Sequence, residues 1–295
     1  MGIIDRLNQI VEYIEENLTK EISTTTLSKI ALMSELHFKS MFSVMTNMGL
    51  AEYIRKRRLS QAAIDLQNDL TVTEVTYKYG YTSPDAFTRA FRKLHGVNPS
   101  TAKGQDVSLK TYPKISFQLT IKGVSEMNFK IVTKEAFEMY GIERIITNVE
   151  GENLNEIPQF WQDVMADGSF QKLLDSTNHN RTEAGIYPVN GVMCYGDETM
   201  DKFPYAVAAF KTPESNSKGF KNITIGAYQW VVFTTDNYKS NETTSVVQEL
   251  WRRIYAEWLP SSGYTIIEGP NMELYGNRDE TYEYCEVWLP IEKIK

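Results

Sequence analysis

Two domains of different class are predicted from the sequence, an all-α unit over residues 1–107 followed by an α+β unit over residues 108–295, and three observations predict them. At 295 residues the chain is about twice the length of an average domain, and its 42 % apolar content can fill more than one core. The net charge of −7 is divided unevenly, +2 over residues 1–105 and −9 over the rest. Near Gly104 the hydrophobic pattern changes from helical spacing to strict alternation. Composition excludes disorder and low complexity, and no apolar run approaches the ~20 residues that span a bilayer, so a cytoplasmic protein without a membrane partner is expected. Two cysteines, Cys194 and Cys285, and three scattered histidines support neither a disulfide scaffold nor a metal site.

The chain opens with Ile3, Ile4, Leu7, Ile10, Val11, Ile14 and Leu18 at helical spacing, an amphipathic helix. A short helix holding Leu27, Ile30 and Ala31 follows, then a turn at Met33-Ser34. Ser34 is the expected N-cap of a further helix whose apolar positions are Phe38, Met41, Phe42 and Met45. The pattern returns 49 residues later: Val72 and Val75, a turn at Gly80, Ser83 as cap with Pro84 behind it, then Phe87 and Phe91 at the spacing of Phe38 and Phe42. A helix over residues 51–67 joins the copies. With the phenylalanines turned inward, the opposite faces are Glu35, Leu36, Lys39 and Ser40 in the first copy and Pro84, Asp85, Thr88, Arg89 and Arg92 in the second. Such faces are solvated in a plain helical bundle. On a rigid spacer, however, two equal helices can enter successive major grooves about 34 Å apart. Arg89 could then donate twice to a guanine edge, while Arg55 to Arg58 and Lys93 meet phosphates or water.

Residues 6–102 resemble the DNA-binding domain of the AraC/XylS family of transcriptional regulators. The resemblance is carried by the run from Gly80 to Lys93, by Gly96-Val97-Asn98-Pro99, and by Tyr53, Arg58, Leu59 and Ala62. It implies double-stranded promoter DNA as a partner, with base-reading positions at Leu36, Lys39 and Ser40 and at Pro84, Asp85 and Arg89. Ser40 stands where the family usually has a basic residue, which leaves the first helix a choice between reading bases and positioning the protein.

Beyond Gly104, alternation at Ile115, Phe117, Leu119 and Ile121 and again at Phe129 and Ile131 predicts strands, with the boundary near residues 103–112. Further strands are expected near 138–149, 185–195, 203–210, 222–234, 264–274 and 281–291. Helices are expected near 155–175 and from a Ser245 cap onward, the second burying Val247, Leu250, Trp251, Ile254, Tyr255 and Trp258. Two sets of strands, each with one helix, read as an α+β domain built by duplication. No phosphate-binding glycine loop, nucleophile beside a histidine or metal cluster is visible, so neither catalytic residues nor a cofactor are assigned. Two late-strand acids have aromatics at same-face spacing: Glu273 with Tyr275, and Glu286 with Tyr284 and Trp288. They are either ordinary strand ends beside core aromatics, or the wall of a pocket for a flat cationic ligand.

Residues 127–293 resemble the GyrI-like effector-binding domain of Rob-type regulators and multidrug sensors, through Phe129-Lys130-Ile131-Val132, Ile157-Pro158-Gln159-Phe160-Trp161, the run from Trp258 to Tyr264, Met272-Glu273-Leu274-Tyr275 and the run from Glu286 to Pro290. The resemblance implies two β-α-β-β modules with a cleft between them, Glu273 and Glu286 facing that cleft, and Trp161, Tyr195 and Tyr228 as candidate wall residues. The expectation is a regulator whose second domain senses a small cationic or lipophilic aromatic effector. One alternative is a hydrolase of electrophilic small molecules using Glu273 and Glu286 as acid and base. Another is a domain with a closed pocket that binds RNA polymerase or another protein.

Overall fold

The computed structural model describes residues 3–104, 107–118, 126–147, 152–178, 185–196 and 202–294; the side chain of Leu36, and the expected strand residues Leu119 and Ile121, lie outside the described residues. The opening helix α1 (Ile3–Glu16) buries Leu7, Ile10, Val11 and Ile14. Helix α2 (Thr24–Ala31) ends at Leu32, whose left-handed backbone (φ 56°) starts the turn. The Ser34 hydroxyl then accepts from the His37 N–H and begins α3 (Glu35–Thr46). A spacer helix α4 (Leu50–Gln67) leads to α5 (Val72–Lys78), which opens on a reciprocal capping box of Thr71 and Glu74. Gly80, at φ 76°, makes the second turn, a conformation that costs glycine nothing. Ser83 accepts from the Ala86 N–H, Pro84 takes the first helical position, and α6 (Pro84–His95) follows. Phe38, Phe42, Phe87 and Phe91 are fully buried.

Of the expected strand through Ile115, Phe117, Leu119 and Ile121, the described residues 115–118 lie in no sheet; with residues 107–114 they run as a strap over α1 and α4. Its backbone is held by side chains: the Tyr112 N–H donates to Ser60 Oγ (2.9 Å), the Ile115 N–H to the Tyr53 hydroxyl (3.3 Å) and the Phe117 N–H to Asn8 Oδ1 (2.8 Å). Phe117 is buried edge-on against Phe42. An extended chain with one face down gives the same alternation whether its backbone partners are a neighbouring strand or side chains. Lys56, Arg57 and Arg58 of the basic run are likewise absorbed into structure. Arg57 is buried and pairs with Glu15 (Nη2 to Oε2, 2.6 Å), Arg58 donates to the carbonyls of Leu18 and Lys20, and Lys56 pairs with Glu52 and lies over the Tyr112 ring.

The second unit is an antiparallel sheet with helices on one face. Its elements are β1 (Asn128–Lys134), β2 (Phe137–Thr147), α7 (Asn153–Ala166), α8 (Ser169–Ser176), β3 (Gly185–Ile186), β4 (Val189–Met193), β5 (Lys202–Phe210), β6 (Lys221–Ile225), β7 (Tyr228–Thr234), α9 (Thr243–Arg253), β8 (Tyr264–Ile266), β9 (Asn271–Asn277) and β10 (Glu283–Lys293). The main order is β1-β7-β10-β9-β4-β5-β2-β6, with β3 paired to β9 and β8 to β10. Two β-α-β-β modules are visible in it, β2-α7-β4-β5 and β7-α9-β9-β10, and they meet where β4 pairs with β9. Several expected elements are subdivided. Gly168 (φ 78°) separates α7 from α8, Gly226 lies between β6 and β7, and Gly269 (φ 154°) between β8 and β9. Helix α9 starts at Thr243, where Ser245 Oγ donates to the Glu242 carbonyl instead of capping, and it runs into a π turn at Ile254–Trp258.

Candidate ligand chamber and DNA-reading helices

The seam between the modules places β4 and β9 under two helices. Gly191 of β4 is paired with Glu273 of β9, and Glu273 with Val287 of β10, so these three positions share the helix-bearing face. Between α7 and α9, above that face, lies a cavity of about 590 Å³. Trp161, Phe170, Met193, Trp251 and Tyr275 line it, and the Glu273 carboxylate is at its base.

Glu273 is 7 % exposed. Its carboxylate accepts from Trp251 Nε1 (Oε1, 2.8 Å) and from the Tyr275 hydroxyl (Oε2, 2.7 Å), both neutral donors. Burial pushes its pKa above the ordinary carboxylate value, and the two hydrogen bonds only partly oppose that rise. Trp161 stands edge-on to Tyr275 (5.6 Å between centroids, 81°) and donates from Nε1 to the Tyr205 hydroxyl at 2.8 Å. Gly191 makes this cluster possible, since a Cβ there would come within 2.5 Å of the Tyr205 oxygen. The arrangement is a buried carboxyl group among aromatic walls, whose ring faces offer stacking surface to a flat ligand.

Of the sequence-selected residues, the structure brings Trp161, Glu273 and Tyr275 to this cavity. Glu286, Trp288, Tyr195 and Tyr228 are elsewhere. Glu286 pairs with Leu274, which puts it on the face opposite Glu273; it accepts from Lys130 Nζ (2.9 Å) and from Trp288 Nε1 (2.9 Å). Tyr228 packs on Trp230, and Trp230 on Trp288, across that second face, and Tyr195 donates to Glu143 (2.8 Å). The expected sharing of one cleft by Glu273 and Glu286 is therefore corrected: an intervening sheet keeps them from acting as an acid and base pair. Sequence reasoning missed Tyr205, Gly191 and the role of Trp251, whose helical spacing announced burial without saying what it would touch.

The second helices of the two motifs, α3 and α6, differ in their surroundings. On α6, Pro84, Asp85, Arg89, Arg92 and Lys93 are exposed and Thr88 is partly so. On α3, Lys39 is only 8 % exposed, and Ser40 and Val44 line the cavity. Helix α3 packs on α9 and the π turn that follows it. His37 bridges the domains: Nδ1 lies 2.9 Å from Ser34 Oγ and Nε2 lies 3.4 Å from Oδ1 of Asn271, which opens β9. Burial of the ring pushes its pKa down to about 4, which keeps it neutral near pH 7. The expectation that the first motif's face is open to DNA is thus corrected for this conformation, because the second domain covers it.

Two family models match the chain. Residues 127–292 match the GyrI-like small molecule binding domain and residues 27–105 match a helix-turn-helix domain. The HTH-type transcriptional activator AarP of Providencia stuartii is 32 % identical over 101 residues, covering 34 % of this chain and 75 % of that protein. An HTH-type transcriptional regulator of Staphylococcus aureus is 24 % identical over 230 residues, but this chain spans only 29 % of its length. Among solved structures, SAV2435 bound to tetraphenylphosphonium is similar at 20 % identity over 56 % of this chain and 94 % of that one, with TM-score 0.43. The DNA-binding domain of AdpA in complex with a target DNA is similar at 26 % identity over 35 % and 91 %, with TM-score 0.32. The chain belongs to the GyrI-like small-molecule-binding family, with that domain joined to an AraC-type helix-turn-helix domain of the kind found in HTH-type transcriptional regulators.

Proposed function

We propose that the protein is a one-component transcriptional regulator that recognises specific sequences in promoter DNA through its helix-turn-helix pair, and whose chamber senses a lipophilic aromatic cation. Buried Glu273 carries the ligand half of this reading. Among the described residues its carboxylate is met by neutral donors alone, so the free protein bears a desolvation cost that a cation in the chamber would offset. The exposed Arg89 on a capped, anchored α6 carries the DNA half, because a planar fork of donors matches the O6 and N7 of guanine.

Titration of the full chain with tetraphenylphosphonium, followed by tryptophan fluorescence, tests the first half. Trp161 and Trp251 line the cavity, so saturable quenching is expected, and Glu273→Gln should weaken it at least about tenfold. Neutral triphenylphosphine oxide binding as tightly as the cation would refute the charge-based reading. Selection of duplexes by the full chain from a randomised pool tests the second half: enrichment of a common sequence is expected, and recovery of unenriched sequences alone would refute it.

A further inference from the structure

We propose that the first reading helix is itself part of the ligand site, so that a cation held in the chamber and a DNA groove compete for α3. This rests on the reading of the chamber and of the two motifs given above, and it adds the direction of regulation. Ser40 is the counterpart of Arg89 in the internal repeat, the position turned towards a base edge if the helix lies in a major groove. In the structure that same position lines the cavity, together with Val44 one turn further along. One face of one helix cannot serve both partners, because a helix of about 10–12 Å diameter fills a groove about 12 Å wide.

The chemistry of the position agrees. An arginine at residue 40 would bring a second cation to a chamber whose base is a carboxylate, whereas serine offers a small neutral hydroxyl. Docking is specific on the other side as well: His37 reaches Asn271, two residues before Glu273 on the same strand, so the helix and the anion are fixed by one short segment of β9. The cavity already has its volume with α3 in place. A ligand filling it gains contacts with α3 only in the docked state, and so favours that state over the one that enters DNA.

The test measures the affinity of the full chain for a duplex it has selected, by fluorescence anisotropy at fixed salt, with and without saturating tetraphenylphosphonium. The duplex Kd should rise at least about tenfold with the cation present, and the duplex should weaken cation binding by the same factor. Two variants place the effect at α3. Ser40→Trp, a change in the DNA-binding domain that fills the chamber, should weaken cation binding at least about tenfold. Asn271→Ala, a change in the sensing domain remote from α6, should tighten duplex binding several-fold without ligand, and it serves if the tryptophan variant fails to fold. A cation that binds yet leaves the duplex Kd unchanged, or tightens it, overturns the competition while leaving the proposed function standing. Absence of saturable cation binding, or of any duplex preference, overturns the proposed function and the competition together.

Discussion

The two helix-turn-helix copies are built alike and placed differently. Ser34 and Ser83 cap their helices through the same hydroxyl-to-amide bond, and Phe38 with Phe42 repeats the burial of Phe87 with Phe91. Helix α6 nevertheless presents Arg89 and Arg92 to solvent, while α3 presents Ser40 and Val44 to a cavity in the neighbouring domain. Equal local chemistry has thus been given unequal partners. The difference shows that two helices of equal local construction can have their outer faces placed in unlike surroundings, and the proposed competition for α3 rests on that inequality.

The sharpest way to break this comparison is Arg89→Ala. Loss of a bidentate base contact should cost ~1–3 kcal/mol and relax the sequence preference, read as anisotropy with selected and scrambled duplexes. Intact discrimination would remove α6 as the principal reader. Next is Glu273→Gln, which should weaken tetraphenylphosphonium binding by ~1.5–3 kcal/mol and leave duplex binding by the ligand-free protein within about twofold.

The same acid sets a pH dependence. Its folded pKa is raised, so lowering pH through that raised value protonates Glu273 and weakens cation binding, and the profile should flatten in Glu273→Gln. Linkage adds a second readout in the ligand-free protein. A carboxylate with a folded pKa above its unfolded one contributes stability at low pH, lost as pH rises from the unfolded value through the folded one; melting scans of Glu273→Gln should lack that decline. Smallest in effect are the caps. Ser83→Ala and Ser34→Ala should each cost ~1 kcal/mol of stability by denaturant titration. Only Ser34→Ala should also weaken cation binding, since Ser34 orients the His37 that joins α3 to Asn271.

Much of this was legible in the sequence where the cause is local. Caps, the glycine turn and phenylalanine spacing lie within a few residues of what they determine, so the repeated motif could be read directly. Glu273 and Tyr275 could be placed on one surface because period two relates residues on a single strand. Period two says nothing about parity between strands, which the register decides; Glu273 pairs with Val287, and Glu286 is thereby turned to the other face. Tyr228, two residues before Trp230 on β7, is turned to that other face in the same way, whereas Tyr195 lies beyond the end of β4, past Cys194 at φ 62°. Ile115 and Phe117 alternate as strand residues do, but their backbone partners are Tyr53 and Asn8, supplied by distant helices. Arg57 belongs to a run that reads as a solvated basic face, and only tertiary structure brings Glu15 to it. The covering of α3 was illegible for a related reason: a serine and a valine on a helix face suit a ligand wall and an open surface equally.

Amide hydrogen exchange of the full chain, compared peptide by peptide with and without tetraphenylphosphonium, tests most directly whether the sensing domain holds one reading helix and leaves the other alone. The account predicts that the cation slows exchange in peptides of α3 (Glu35–Thr46) and leaves α6 (Pro84–His95) unchanged. Faster exchange in α3 on cation binding, or equal changes in both helices, would contradict it.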